Sequence, residues 1–227
     1  MDRLPNVTKN LLAINILMFL ATIVMERQGT DLTAIFGLHF FEASDFAPYQ
    51  FVTYMFMHGG FPHLFFNMFA LYMFGGLLER VWGSKRFLIY YLVCGVGAGL
   101  LQEAVQYFTY VQEGLADLPF VPIQNGYIPM GDFLNMYFTT VGASGAIYGI
   151  LLGFAMSFPN ERMFVFPIPF PIKAKFFVIG YAAIELLSGF ASSNDNIAHF
   201  AHLGGMLFGL VLILYWRKKH KIGGPYV

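Results

Sequence analysis

Val141-Gly142-Ala143-Ser144-Gly145-Ala146-Ile147-Tyr148-Gly149 opens a stretch that runs apolar to Phe158, and it decides how this chain must be read. Glycine returns every fourth position at Gly145, Gly149 and Gly153. In an aqueous helix such a run would be costly, whereas in a membrane a small-xxx-small face lets two helix backbones approach closely. Ala201, Gly205 and Gly209 form a second such stripe near the C-terminus. The composition agrees with a bilayer as solvent. Of 227 residues, 57% are hydrophobic and only 11% charged, against roughly 25% charged in soluble domains. Mean hydropathy is +0.61. A disordered chain is excluded, because disorder needs low hydrophobicity and high charge. Lys plus Arg and Asp plus Glu are both 13, which leaves no basic excess for nucleic acid. The single cysteine, Cys94, excludes a disulfide framework and a multi-cysteine metal site.

Crossing the hydrocarbon takes about 20 mostly apolar residues. Six stretches qualify: Leu11–Met25, Phe61–Leu78, Phe87–Phe108, Thr139–Phe158, Ala174–Ala191 and Ile197–Trp216. The first lacks a small-residue cleavage pattern and reads as a retained anchor. With the N-terminus in the cytoplasm, Arg3, Lys9, Arg80, Lys85, Arg86, Arg162, Lys173, Lys175, Arg217, Lys218, Lys219 and Lys221 lie inside and only Arg27 outside. Asp31, Glu42, Asp45, Glu113, Asp117, Asp132 and Asp195 fall in outward loops, so the positive-inside bias is strong. The expectation is an all-α membrane protein: a six-helix transmembrane bundle with both termini cytoplasmic. Its parts are a short N-terminal segment (1–10), the six-span domain (11–216) and a basic tail (217–227). Two outer segments, about 28–60 and 109–138, are aromatic-rich and expected to lie in the interface as short helices.

Polar side chains inside spans are costly and mark function by default. His63 and Asn67 share a face of the second span, Ser144 and Tyr148 a face of the fourth, and the sixth carries His199 and His202. All fall within about two turns, or roughly 10 Å, of the outer ends. A hydroxyl near an imidazole in a dry site suggests a nucleophile and its base, and His63 and Asn67 suggest donors for a developing oxyanion. Each residue also has a structural reading. A membrane serine can bond its own helix, a histidine can be a satisfied core residue, and glycine stripes serve packing. On spacing alone, catalysis and transport both stand. A soluble α/β-hydrolase would need glycine where Ala146 stands. A zinc protease would need His-Glu-x-x-His, which is absent.

The strings HGGFPHLFFN (58–67), GGLLERVWG (75–83), GASGAIYG (142–149) and AHFAHLGGMLFG (198–209), in this order, resemble the rhomboid intramembrane serine proteases over about residues 11–216. The resemblance implies Ser144 as nucleophile and His202, followed by Gly205 and Gly209, as general base, with His199 as the fallback. It implies His63 and Asn67 as oxyanion side chains, joined by the Ser144 N–H. Gly142 would serve the tight approach to the nucleophile, Tyr148 would pack on the histidine ring, and His58 would organise a loop. Gly75, Glu79 and Gly83 match a structural pattern. No cofactor and no metal is implied. The partners would be transmembrane protein substrates and the lipid bilayer, in a bacterial cytoplasmic membrane with the site opening outward. The alternative is a non-catalytic rhomboid-like binder of membrane proteins or a small-solute transporter.

The resemblance implies a Ser-His dyad with no acid partner, and the sequence is consistent with it: no carboxylate is expected beside Ser144 or His202. Glu185 on the fifth span lies at similar depth. It reads first as protonated or bonded within the helix packing, and second as an orienter of His202. Glu103 reads as interfacial. The Trp-Arg pair common in the family's first outer loop is absent, and Pro48-Tyr49-Gln50-Phe51 stands in that loop.

Overall fold

The computed structural model describes residues 3–124, 126–165, 169–191 and 198–219. Asp195, Ile197 and Lys221, used above to thread the chain, lie outside the described residues. Six helices carry the architecture: α1 Asn6–Glu26, α2 Phe61–Trp82, α3 Ser84–Gln112, α4 Ser144–Ser157, α5 Ala174–Phe190 and α6 His199–Lys218. Among the described residues α1, α2, α3 and α6 are long and apolar enough to cross a bilayer. α5 has 17 residues and α4 only 14, about 21 Å at 1.5 Å per residue. α4 is nevertheless the most enclosed helix, with ten of its residues buried against α2, α3, α5 and α6.

The fourth span was expected to begin near Thr139. Residues 139–143 are instead outside the helix: Thr139 and Thr140 form a short strand that pairs antiparallel with His39 and Leu38. The helix starts only at Ser144, because Gly142 has a φ of 124°, a conformation no helix contains. The outer segments also depart from expectation. They contain short helices at Leu32–Phe36, Gln50–Thr53 and Met130–Tyr137, but also a hairpin pairing Phe120–Ile123 with Gly126–Pro129. Phe40, Ala43, Met130, Leu134 and Phe138 give these segments an apolar core of their own. Gln50 holds the first of them. Its carboxamide accepts from His39 N–H (3.3 Å) and Ala47 N–H (3.1 Å) and donates to the Asp45 carbonyl (2.9 Å). Glu103, read as interfacial, is buried at 5% exposure and accepts from Phe41 N–H at 3.0 Å.

The small-residue stripes meet, but only along their first half. A Cβ on Gly205 would run into the Gly145 carbonyl, and one on Gly149 would meet Cys94 of α3 and the Gly205 carbonyl. Gly153 and Gly209 do not face each other. Both lie against Tyr90 of α3, whose hydroxyl donates to the Gly149 carbonyl at 2.7 Å. Dispersion contacts hold α4 against α6 where no hydrophobic effect operates, and the buried hydrogen bond ties α4 to α3.

At the opposite end Glu79 joins three helices. Its carboxylate accepts from the N–H groups of Val7 (3.0 Å) and Thr8 (2.7 Å), from Thr8 Oγ1 (2.8 Å) and from Ser84 Oγ (2.7 Å). The first turn of α1 has orphan N–H groups and no side-chain cap of its own, so a residue 71 positions away supplies one. Glu79→Ala strands those donors in a buried site and should cost about 2–4 kcal/mol. A lower midpoint of thermal unfolding in detergent, with Glu79→Gln falling between the two, checks this.

Candidate active site

Ser144 is the first residue of α4, so its N–H is among the donors that have no partner within the helix. The helix N-terminus also carries the positive end of the macrodipole. What aims the serine is the segment before it. Gly142 N–H donates to the Tyr54 carbonyl at 2.9 Å, and Tyr54 is itself fixed by its hydroxyl to the Gly95 carbonyl at 2.6 Å. A Cβ on Gly142 would stand 2.7 Å from the His63 ring and 3.7 Å from Ser144 Oγ. Glycine is thus required there twice over, by conformation and by space.

His202 lies in the first turn of α6 and is 8% exposed. Its Nε2 is 2.8 Å from Ser144 Oγ. Tyr148, one turn beyond Ser144, stacks on the His202 ring with centroids 4.2 Å apart and planes 5° from parallel. A cavity of about 430 Å³ is lined by Gly59, His63, Ser144 and His202, with Ala198 and the 139–141 segment completing its wall. Asn67 is buried one turn below His63, and its Nδ2 has no hydrogen-bond partner among the described residues. His58 packs edge-on against His63 at 5.0 Å. Burial, reinforced by the neighbouring His63, pulls the His58 imidazole down to about 4, so it is neutral at physiological pH. Ser144, His202 and His63 therefore line one cavity, while Tyr148 packs on His202, His58 and Gly142 lie against His63, and Asn67 sits one turn from His63 on the same helix.

Sequence reasoning underweighted Glu185. It is 6% exposed, and its carboxylate joins α5 to α4 and α6. Oε1 accepts from the Tyr148 hydroxyl. Oε2 accepts from His199 Nδ1 at 2.6 Å and lies 3.0 Å from His202 Nδ1. The second contact has ion-pair length without the alignment of a formed hydrogen bond, so His202 Nδ1 lacks a geometrically good acceptor. The expectation that no carboxylate stands beside the histidine is corrected: the rotation of α5 brings one there from 17 residues upstream. Glu185, His199 and His202 also present donor atoms within 4.8 Å of one another, a two-histidine, one-carboxylate set. Nitrogen–oxygen separations of 2.6 and 3.0 Å are hydrogen-bond lengths. A cation about 2.0–2.2 Å from each atom would have to spread the cluster.

Comparison with known proteins places the chain in a family. The Rhomboid domain family matches residues 45–219. The chain belongs to the rhomboid family. It is 31% identical over 175 residues to the rhomboid protease AarA of Providencia stuartii, covering 74% of this chain and 56% of that protein. It is 30% identical to the putative rhomboid protease YdcA of Bacillus subtilis strain 168, covering 76% and 70%. It is 32% identical over 212 residues to the rhomboid protease GluP of the same strain, covering 90% and 34%. The match thus spans about half of AarA and a third of GluP. The rhomboid strings 58–67, 142–149 and 198–209 all border the cavity, whereas 75–83 builds the Glu79 junction at the far end.

Proposed function

We propose that this rhomboid is a serine endopeptidase that cuts transmembrane segments of other membrane proteins. The reading rests on one observation above all, the 2.8 Å contact between Ser144 Oγ and His202 Nε2 at a cavity that also reaches His63. His202 Nε2 takes the hydroxyl proton as Oγ attacks the substrate's carbonyl carbon, and the carbonyl electron pair moves onto oxygen. Asn67, His63 and the Ser144 N–H hold this oxyanion. Such donors are worth about 3–4 kcal/mol each when preorganised in a dry site. Collapse breaks the C–N bond, and the Nε2 proton goes to the leaving amine. Water then attacks the acyl ester, giving a proton to His202, which returns it to Oγ as the acid departs.

The charge pattern supports six spans over residues 11–216, with both termini in the cytoplasm and the cavity opening to the extracytoplasmic side of a bacterial membrane. The shortness of α4 fits that reading, since a 14-residue helix that reaches one face leaves its first residue well below the other. The outer segments would then pack at the interface. A substrate helix must unwind to present a peptide bond, so small residues and helix-weakening Gly or Pro are expected near the cut. The exposed faces of α2 (Phe61, Phe65, Phe69) and α5 (Ile179, Leu187) suit lateral approach through lipid.

The test is cleavage in proteoliposomes of a single-span substrate carrying Ala and Gly near the outer leaflet. Wild type should cut it and Ser144→Ala should not. Equal product from both would refute the reading. Retention of intact substrate by both would favour a non-catalytic binder.

A further inference from the structure

Every carboxylate on the buried faces of this bundle has a reason to be there. Glu79 caps α1, and Glu103 holds Phe41 N–H. Among the described residues Glu185 caps no backbone group, yet it is buried on a helix that otherwise buries only Ala174 and Val178. A carboxylate at this depth is costly unless donors converge on it. The donors here are those of the catalytic cavity.

The imidazole chemistry explains why that matters. To accept the Ser144 proton at Nε2, a neutral His202 must carry its own proton on Nδ1. An acceptor facing Nδ1 stabilises that tautomer and then the imidazolium. Glu185 Oε2, 3.0 Å away, is the acceptor that the fold supplies. Tyr148 couples the two, stacking on the His202 ring while its hydroxyl donates to Glu185 Oε1. The ring is thus held in plane by one residue and in azimuth by another, and those two are bonded together. His199, one turn earlier, donates to the same Oε2, which keeps the carboxylate in place. Off-line geometry in a resting site is common and tightens as charge develops.

We propose that Glu185 is a positioning residue for this chain's reaction, holding His202 in its Nδ1–H form and stabilising the imidazolium, so that the dyad works as a triad whose third member comes from α5. This rests on the protease reading above. His202 keeps its roles as base and acid, and Glu185 remains a carboxylate throughout. The groups facing the Glu185–His202 pair are Ser144 and Tyr148 from α4, His199 from α6 and His63 from α2, with Tyr181 of α5 beside Tyr148.

The experiment compares wild type, Glu185→Gln and Ser144→Ala in one detergent, reading substrate turnover, the rate of fluorophosphonate labelling and thermal unfolding. Glu185→Gln should lose about 10²-fold or more in kcat, with KM within about threefold, and lose labelling rate by a similar factor while Ser144 still labels to completion. A well-folded Glu185→Gln that labels and turns over within threefold of wild type, or that changes only in KM, overturns the positioning role. If that variant does not fold, ¹⁵N spectra of histidine-labelled wild type decide. A proton on Nδ1 of His202, with Nε2 bare, supports the role, and the opposite tautomer overturns it. A wild type that neither labels nor cleaves sinks the protease reading, and this role with it. Wild-type labelling beside an equally fast Glu185→Gln sinks the role alone.

Discussion

His202→Ala is expected to lower the turnover of folded protein by about 10⁴-fold or more. The magnitude follows from the atoms. Among the described residues Ser144 Oγ has one base at hydrogen-bond distance, His202 Nε2 at 2.8 Å, and removing a member of a serine–histidine unit costs nearly the whole unit. His199 offers the sharp control. It lies three residues earlier on the same helix, but its Nδ1 faces Glu185 and not the serine. His199→Ala should lose no more than about tenfold, through a loosened Glu185. Initial rates of substrate cleavage for the two variants, normalised to folded protein, check both. Equal losses would mean that the 2.8 Å contact does not carry the chemistry.

Gly205→Val should also be strongly damaging, for a different reason. Gly205 stands three residues after His202 and Gly145 one after Ser144, and a side chain on the first has nowhere to go but into the carbonyl of the second. Forcing α4 and α6 apart costs about 1–3 kcal/mol or more in packing. It also moves the nucleophile from its base, and misplacement by about 1 Å can cost 10²-fold in rate. Turnover of the folded fraction should therefore fall by about 10²-fold or more. Gly180→Ala on α5, where nothing lies within 4 Å, should leave both stability and rate at wild-type levels. Detergent melting curves and cleavage rates measured together separate the packing effect from the catalytic one.

What could be read in the sequence was local or periodic. The four-residue spacing of His63 and Asn67 and of Ser144 and Tyr148 survives in the structure as shared faces. The distribution of hydropathy gave the helices, with ends shifted by a few residues. What could not be read depended on how helices rotate against one another. The stripe at Gly145, Gly149 and Gly153 announced close packing, but only the tertiary arrangement sends Gly153 to Tyr90 and Trp82 while Gly145 meets Gly205. A hydropathy window ran α4 back to Thr139, because it cannot register that Gly142 takes a positive φ and that Thr139 and Thr140 pair with an outer strand. The π-helical turn at Leu71–Gly75 inside α2 left no signal. Glu185 was visible as a buried carboxylate out of place, but its partners come from two other helices, and no spacing within α5 names them.

Intact-protein and peptide mass spectrometry after treatment with a fluorophosphonate tests the central claim most directly, because it asks whether one hydroxyl in this chain is chemically distinct. A single phosphonyl adduct is expected on the peptide containing Ser144, abolished in Ser144→Ala and slowed by orders of magnitude in His202→Ala. An adduct elsewhere, or one that forms as fast without His202, would contradict that claim.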